Sequence, residues 1–132
     1  AVWAITLNDV APDGRSTVLT SGALSTANRA LDHAKTRYTA EGAVAKAYHV
    51  LTRDRKLPVP ADEPVRIDVS LTPTDAVLEP GHRLRVDIYA ASFPRYLNVV
   101  PDLIRLRGHH QRLVIDPKHP SYLTFEADLP IV

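Results

Sequence analysis

From Arg83 to Ser92 the chain alternates, with Leu84, Val86, Ile88 and Ala90 on one side and Arg83, Arg85, Asp87 and Tyr89 on the other. Side chains of an extended strand point to opposite faces in turn, so a period of two commits this segment to a strand with one apolar and one polar face. Pro80-Gly81 supplies the turn before it. Antiparallel sheets with one face on a core and one in water are built from such strands. A second run, Val65, Ile67, Val69 and Leu71 against Arg66, Asp68 and Ser70, repeats the pattern and stops at Pro73. The two strands are expected to pair antiparallel, with Arg and Asp facing across the ladder for about a few tenths of a kcal/mol per pair.

The remaining segments fit the same architecture. Val2 to Val10 is rich in β-branched and aromatic residues, with Trp3, Ile5 and Leu7 alternating with smaller side chains. Pro12-Asp13-Gly14 has the chemistry of a tight reversal: a fixed φ, a carboxylate that bonds its own backbone, and a residue tolerant of positive φ. Ser16 to Thr20 is the returning strand of a hairpin. From Ser25 or Thr26, a candidate N-cap, Ala27, Leu31, Ala34 and Tyr38 fall at helical spacing, and Val44, Ala47, Tyr48 and Leu51 follow Gly42. That spacing predicts a short helical insertion around 27–51. Pro58, Pro60 and Pro64 make Leu57 to Glu63 an extended connector. Leu113 to Ile115 and Tyr122 to Glu126 read as closing strands around the turn-rich stretch Asp116 to Ser121. Val99 to Leu106, interrupted by Pro101 and Asp102, has no clear class. Several short strands separated by turn signals predict a mainly β, antiparallel sandwich.

At 132 residues the chain is the size of one domain, 1–132, with one core. Sixteen basic against fifteen acidic residues leave a net charge of +1, which gives no basic field for nucleic acid. The absence of cysteine excludes disulfide scaffolds, thiolate zinc sites and cysteine nucleophiles, but leaves the redox compartment open. No apolar run reaches the roughly 20 residues of a membrane helix, and no signal-peptide pattern opens the chain. A soluble protein with no membrane partner is expected, cytoplasmic rather than secreted.

The sequence offers little catalytic chemistry. Gly-x-Ser-x-Gly, the strained elbow that exposes a serine nucleophile, is absent. Ser92 stands at a strand end before Phe93-Pro94 and reads as a turn residue. Asp116, His119 and Ser121 crowd into a Pro-rich turn that reads as an Asx-type loop rather than a triad. His109 and His110 would point to opposite faces of a strand, and His33 and His49 stand at no ligand spacing, so no metal is expected. No GxGxxG or P-loop is present, so no phosphate-bearing cofactor is expected. The basic run Arg105, Arg107, His109, His110 and Arg112 lacks interleaved aromatics and reads as a solvated surface. Trp3, Tyr89 and Tyr96 could serve a stand-alone carbohydrate- or protein-binding module by stacking, against the commoner fate of packing in a core.

Five motifs in order carry a resemblance. They are Asp9-Val10-Ala11-Pro12-Asp13-Gly14-Arg15, Gly22-Ala23-Leu24, Gly81-His82-Arg83-Leu84-Arg85, Ser92-Phe93-Pro94-Arg95-Tyr96, and His119-Pro120-Ser121 with Leu123. In order and spacing they resemble the C-terminal domain of the X-Pro dipeptidyl-peptidase and cocaine esterase family. The resemblance implies a jelly-roll sandwich similar to galactose-binding-type domains, without catalytic, cofactor or metal residues of its own. Its partner would be the α/β-hydrolase domain of the same parent chain, which carries the catalytic Ser, Asp and His; the parent would be a serine hydrolase cleaving X-Pro peptide or ester bonds. The matched residues Asp9, Pro12, Asp13, Gly14, Gly81, Arg83, Phe93, Pro94, His119 and Pro120 are expected to be framework, with Arg83 and Arg95 pairing carboxylates such as Asp9 or Asp87.

Two departures from the family stand out. Leu97-Asn98-Val99-Val100-Pro101-Asp102 replaces the usual Asn-rich, Gly-containing loop, and the 27–51 stretch is longer than the usual connector. The family domain normally begins with strands before Val2, so the sandwich is expected to be incomplete at its N-terminus. An unpaired edge would follow, and with it self-association.

Overall fold

The computed structural model describes residues 1–96 and 100–128. The chain is mainly β. Strands β1 (Val2–Val10), β2 (Ser16–Ser25) and β5 (Arg83–Tyr89) form an antiparallel sheet in the order β2-β1-β5, and β3 (Arg37–Tyr38) pairs with β4 (Val44–Lys46) in a small second sheet. One helix, α1 (Val100–Leu106), lies among the described residues beside two 3-10 turns at Thr26–Asn28 and Arg53–Arg55. No helix among them is long and apolar enough to cross a membrane.

The β1–β2 hairpin is closed by the expected reversal. Ala11 N donates to Arg15 O at 2.8 Å, Gly14 N to Ala11 O at 2.9 Å, and Arg15 N to Asp13 Oδ1 at 2.9 Å. Gly14 stands at φ 88°, in the left-handed region that a side chain disfavours. The ladder pairs Leu7 with Thr20 and Asn8 with Val18, leaving Leu19 as the extra residue of a bulge. β2 runs to Ser25, five residues past the expected end at Thr20, because Ser21 to Ser25 continue to pair with β1 as far as Val2.

β5 pairs with β1 from Ala4↔Tyr89 to Val10↔Arg83. This corrects the expected partnership of Arg83–Ser92 with Val65–Leu71. The latter segment keeps its alternation of half-buried Val65, Ile67, Val69 and Leu71 but forms no ladder. It lies along the outer edge of β2, where Thr72 N donates to Ser21 O at 3.0 Å and the Thr20 hydroxyl donates to Thr72 O. One of its own acceptors is engaged elsewhere: His49 Nε2 donates to Asp68 O at 2.7 Å. Both Arg-x-Asp pairs close within their own segment, Arg66 on Asp68 at 2.7 Å and Arg85 on Asp87 at 2.9 Å.

The helical insertion expected around 27–51 is also corrected. The stretch holds the 3-10 turn, the bridge Leu31↔His49 and the β3–β4 hairpin. Asp32 explains why no helix propagates: its carboxylate accepts from Ala34 N at 3.1 Å and its carbonyl from Thr36 N at 2.9 Å, closing one isolated turn. The buried Thr36 hydroxyl then accepts from Tyr48 N at 3.1 Å, which ties the two arms as a hairpin.

Leu113 to Ile115 and Tyr122 to Glu126 likewise form no ladder among the described residues. Tyr122 instead anchors its segment by accepting from Arg66 Nη2 at 2.7 Å, the guanidinium lying 5.7 Å from the ring centroid. The departure from the family at Leu97-Asn98-Val99 lies outside the described residues.

Candidate functional site

Residues facing one another across a ladder share a face, so the registers assign the sheet's two sides. One side carries Trp3, Ile5 and Leu7 of β1, Gly22 and Leu24 of β2, and Leu84, Val86 and Ile88 of β5. The other carries Ala4, Thr6, Asn8 and Val10 with Arg85, Asp87 and Tyr89.

The polar side is internally satisfied. Asn8, only 3% exposed, donates from Nδ2 to Thr6 Oγ1 at 3.0 Å, to Asp87 Oδ2 at 3.2 Å and to Arg85 O at 3.3 Å. Arg85 Nη2 reaches Ser16 Oγ at 3.2 Å. The network therefore spans all three strands.

The apolar side is not covered in the same way. Leu7 and Leu24 are buried, whereas Val86 and Ile88 remain 42% and 39% exposed. Leu71 comes down over Gly22, where a Cβ would collide with the Ser70 carbonyl and stand 3.2 Å from Leu71 Cδ2. This cover reaches β2 but leaves β5 open. The chain's accessible surface is 10495 Å², against about 6,900 Å² for a compact monomer of its 14.6 kDa.

Two of the five matched motifs, Asp9 to Arg15 and Gly81 to Arg85, meet at one corner of this sheet. His82 Nδ1 lies 2.8 Å from Asp9 Oδ1 and 3.0 Å from Oδ2. Pro12 Cγ lies 3.3 Å from where a Cβ on Gly81 would stand, so a side chain there would press on the hairpin turn. Asp13 holds its neighbour Arg15 at 3.0 Å. Arg83, expected to pair with Asp9 or Asp87, makes no ion pair among the described residues, because His82 and Arg85 hold those carboxylates. Arg95, expected to do the same, donates instead to Ser21 Oγ at 3.3 Å. Phe93-Pro94 lies beyond the other end of β5, in a turn with a cis peptide closed by Tyr96 N donating to Ser92 O at 2.7 Å, and Phe93 is 82% exposed. His119-Pro120 stands apart from the corner.

The fold engages the candidate catalytic and ligating side chains locally. Asp116 accepts from Lys118 N and His119 N, both at 2.8 Å, and lies 3.0 Å from His119 Nδ1. The His119 side chain, then the His119 and Lys118 backbone donors, hold the Asp116 carboxyl below its ordinary range. Among the described residues neither Ser92 nor Ser121 hydrogen-bonds to this pair, which leaves an Asx turn. His33 Nδ1 lies 2.6 Å from the Tyr38 hydroxyl, and His49 is engaged by Asp68 O, so both serve local structure. No group of three or more His, Asp or Glu among the described residues is arranged to hold a metal ion.

An open depression of about 520 Å³ is lined by Arg29, Leu31, His33, Arg55, Leu57 and Arg66. Arg29 is spent on the carbonyls of Thr26, Leu57 and Pro58, and Arg66 on Asp68. Asp68 raises the Arg66 guanidinium above its ordinary range, as an ion pair should. Trp3 and Tyr89 lie on opposite faces of the sheet, so they form no shared platform for a sugar ring.

Against this geometry, the family model for the X-Pro dipeptidyl-peptidase C-terminal non-catalytic domain matches residues 1–124. The chain belongs to that family. No curated protein and no solved structure matches it. Sequence reasoning quoted His82 and Gly22 within motifs without assigning either a role, and it missed Asn8. The available signals were a polar amide inside an otherwise apolar strand and a glycine in mid-strand.

Proposed function

We propose that this chain is the accessory domain of a serine hydrolase of X-Pro dipeptidyl-peptidase or acyl esterase type. In this reading it packs on the catalytic α/β-hydrolase domain of the same parent and helps to wall its substrate cleft. The observation that carries it is the apolar row of half-buried Leu84 with exposed Val86 and Ile88, rooted in the buried Leu7 and Leu24. Contiguous apolar surface held on a rigid sheet marks an interaction surface, since its exposure to water is unfavourable. Membership in a non-catalytic C-terminal domain family supplies the class of partner.

The chain alone is expected to show no turnover of a p-nitrophenyl acyl ester. In the parent enzyme, Ile88→Glu is expected to lower the melting temperature and raise KM, because a carboxylate would be buried at the domain contact. Unchanged melting and kinetics in that variant would reject the packing role.

A further inference from the structure

The open depression of about 520 Å³ is framed by three segments: Arg29 to Leu31 after the first 3-10 turn, Arg55 to Leu57, and Val65-Arg66. Leu57 N donates to Ala27 O at 2.8 Å, which ties the second segment to the first. The third is brought in through His49, which pairs with Leu31 in an isolated bridge and donates from Nε2 to Asp68 O at 2.7 Å. The volume falls within the roughly 300–1,000 Å³ of small-molecule sites. None of these residues belongs to the β1-β2-β5 sheet, so the depression stands apart from the domain-packing reading.

Three arginines line it and, among the described residues, no Asp or Glu does. Asp68 neutralises Arg66 at 2.7 Å. Arg29 spends its donors on the carbonyls of Thr26, Leu57 and Pro58, which fix the guanidinium but carry no net charge to cancel its own. Arg55 is exposed, and its side chain makes no hydrogen bond or ion pair among the described residues, so its five donors are open. A free guanidinium fork matches the two oxygens of a carboxylate, and the uncancelled charge of Arg29 on the same wall favours an anion there. The rest of the wall includes apolar Leu31, Leu57 and Val65, with Leu57 40% exposed. Covering these side chains rewards a ligand that carries an apolar body behind its charge.

We infer that this depression binds a carboxylate carried on an apolar group, the carboxylate on Arg55 and the apolar body on Leu31, Leu57 and Val65. An acyl-chain acid and the C-terminus of an apolar peptide share that chemistry. A neutral analogue of either leaves the arginines unpaired, and a short acid leaves the apolar wall wet.

Chemical shifts of the ¹⁵N-labelled 132-residue chain test the site. The probes are sodium octanoate, 1-octanol and sodium acetate, with N-acetyl-Leu-Val-Leu as its free acid and as its amide. Octanoate or the free-acid peptide, or both, is expected to move the Arg55 Nε–H and the amides of Leu31, Leu57 and Val65 saturably. 1-Octanol, acetate and the amidated peptide are expected to bind about tenfold more weakly or less. Binding of octanoate alone identifies an acyl acid as the source of the carboxylate, and binding of the peptide alone identifies a chain terminus. Arg55→Gln is expected to weaken binding about tenfold or more, the range for a lost charged hydrogen-bonding partner. Should circular dichroism show that variant unfolded, the comparison of acid with neutral analogue on the wild-type chain decides. Binding of neither acid, equal binding of acetate or of the neutral analogue, shifts confined to other segments, or undiminished binding by folded Arg55→Gln would each overturn the inference.

Discussion

His82 Nδ1 meets the Asp9 carboxylate at 2.8 Å across 73 positions of sequence, pinning the turn before β5 to the end of β1. Both side chains are largely sheltered, at 22% and 17% exposure. The contact lies beside Val10↔Arg83, the last pair of the β1–β5 ladder, so it fixes where that ladder starts.

Asp9→Ala and His82→Ala are each expected to destabilise the chain by about 1–3 kcal/mol, the range for a partly buried charge-assisted hydrogen bond. The double variant should lose little more than either single one, because both remove the same contact. Urea unfolding of the four proteins checks this, and fully additive losses would count against the pairing.

Asn8→Ala removes the donor that bridges Asp87 Oδ2 and Arg85 O from β1. A loss of about 1–3 kcal/mol is expected, since the cross-strand bonds of a buried donor are removed while Asp87 keeps only those from Arg85 and Tyr89 of its own strand. The accompanying gain in hydrogen exchange should appear in β5 before β2.

Gly22→Ala should destabilise by roughly 1–3 kcal/mol, because the new methyl group collides with the Ser70 carbonyl oxygen, a backbone atom that cannot swing aside. Gly14→Ala tests a different effect, the positive φ at the hairpin turn, with an expected loss of about 1 kcal/mol or more. Thermal melting ranks the two against Ala11→Gly as a control on the same loop.

The turn at Asp116 should respond to acid. Its carboxyl titrates below the ordinary carboxylate range, held there by the His119 side chain and the donors of His119 and Lys118. A depressed folded-state value means the turn's stabilisation is complete above the unfolded carboxylate value and disappears as pH falls through the folded one. Amide shifts of Lys118 and His119 should therefore move in acid, below the normal carboxylate midpoint, and Asp116→Asn should abolish that transition.

How much of this was legible from sequence depended on the range of the forces involved. The strand at Arg83, the reversal at Pro12-Asp13-Gly14 and the extended connector at Pro58 follow from local rules: side-chain period, fixed φ and missing donors. The helical insertion failed because apolar residues at helical spacing do not form a helix where Asp32 and Thr36 supply competing hydrogen bonds. Val65–Leu71 has a strand's alternation, yet no ladder forms, because its carbonyl at Asp68 is held by His49.

By itself, then, the sequence determined the two-sided character of β5, the hairpin reversal and the membership of a non-catalytic family, all of which are written in neighbouring residues or ordered motifs. Only the tertiary structure decided that β5 pairs with β1, that Asp9 belongs to His82 rather than Arg83, and that Asn8 joins the strands from beneath. Alternation fixes which side chains share a face, but any strand of matching pattern satisfies it. The choice among partners is made by register, close approach and buried hydrogen bonds between residues far apart in the chain.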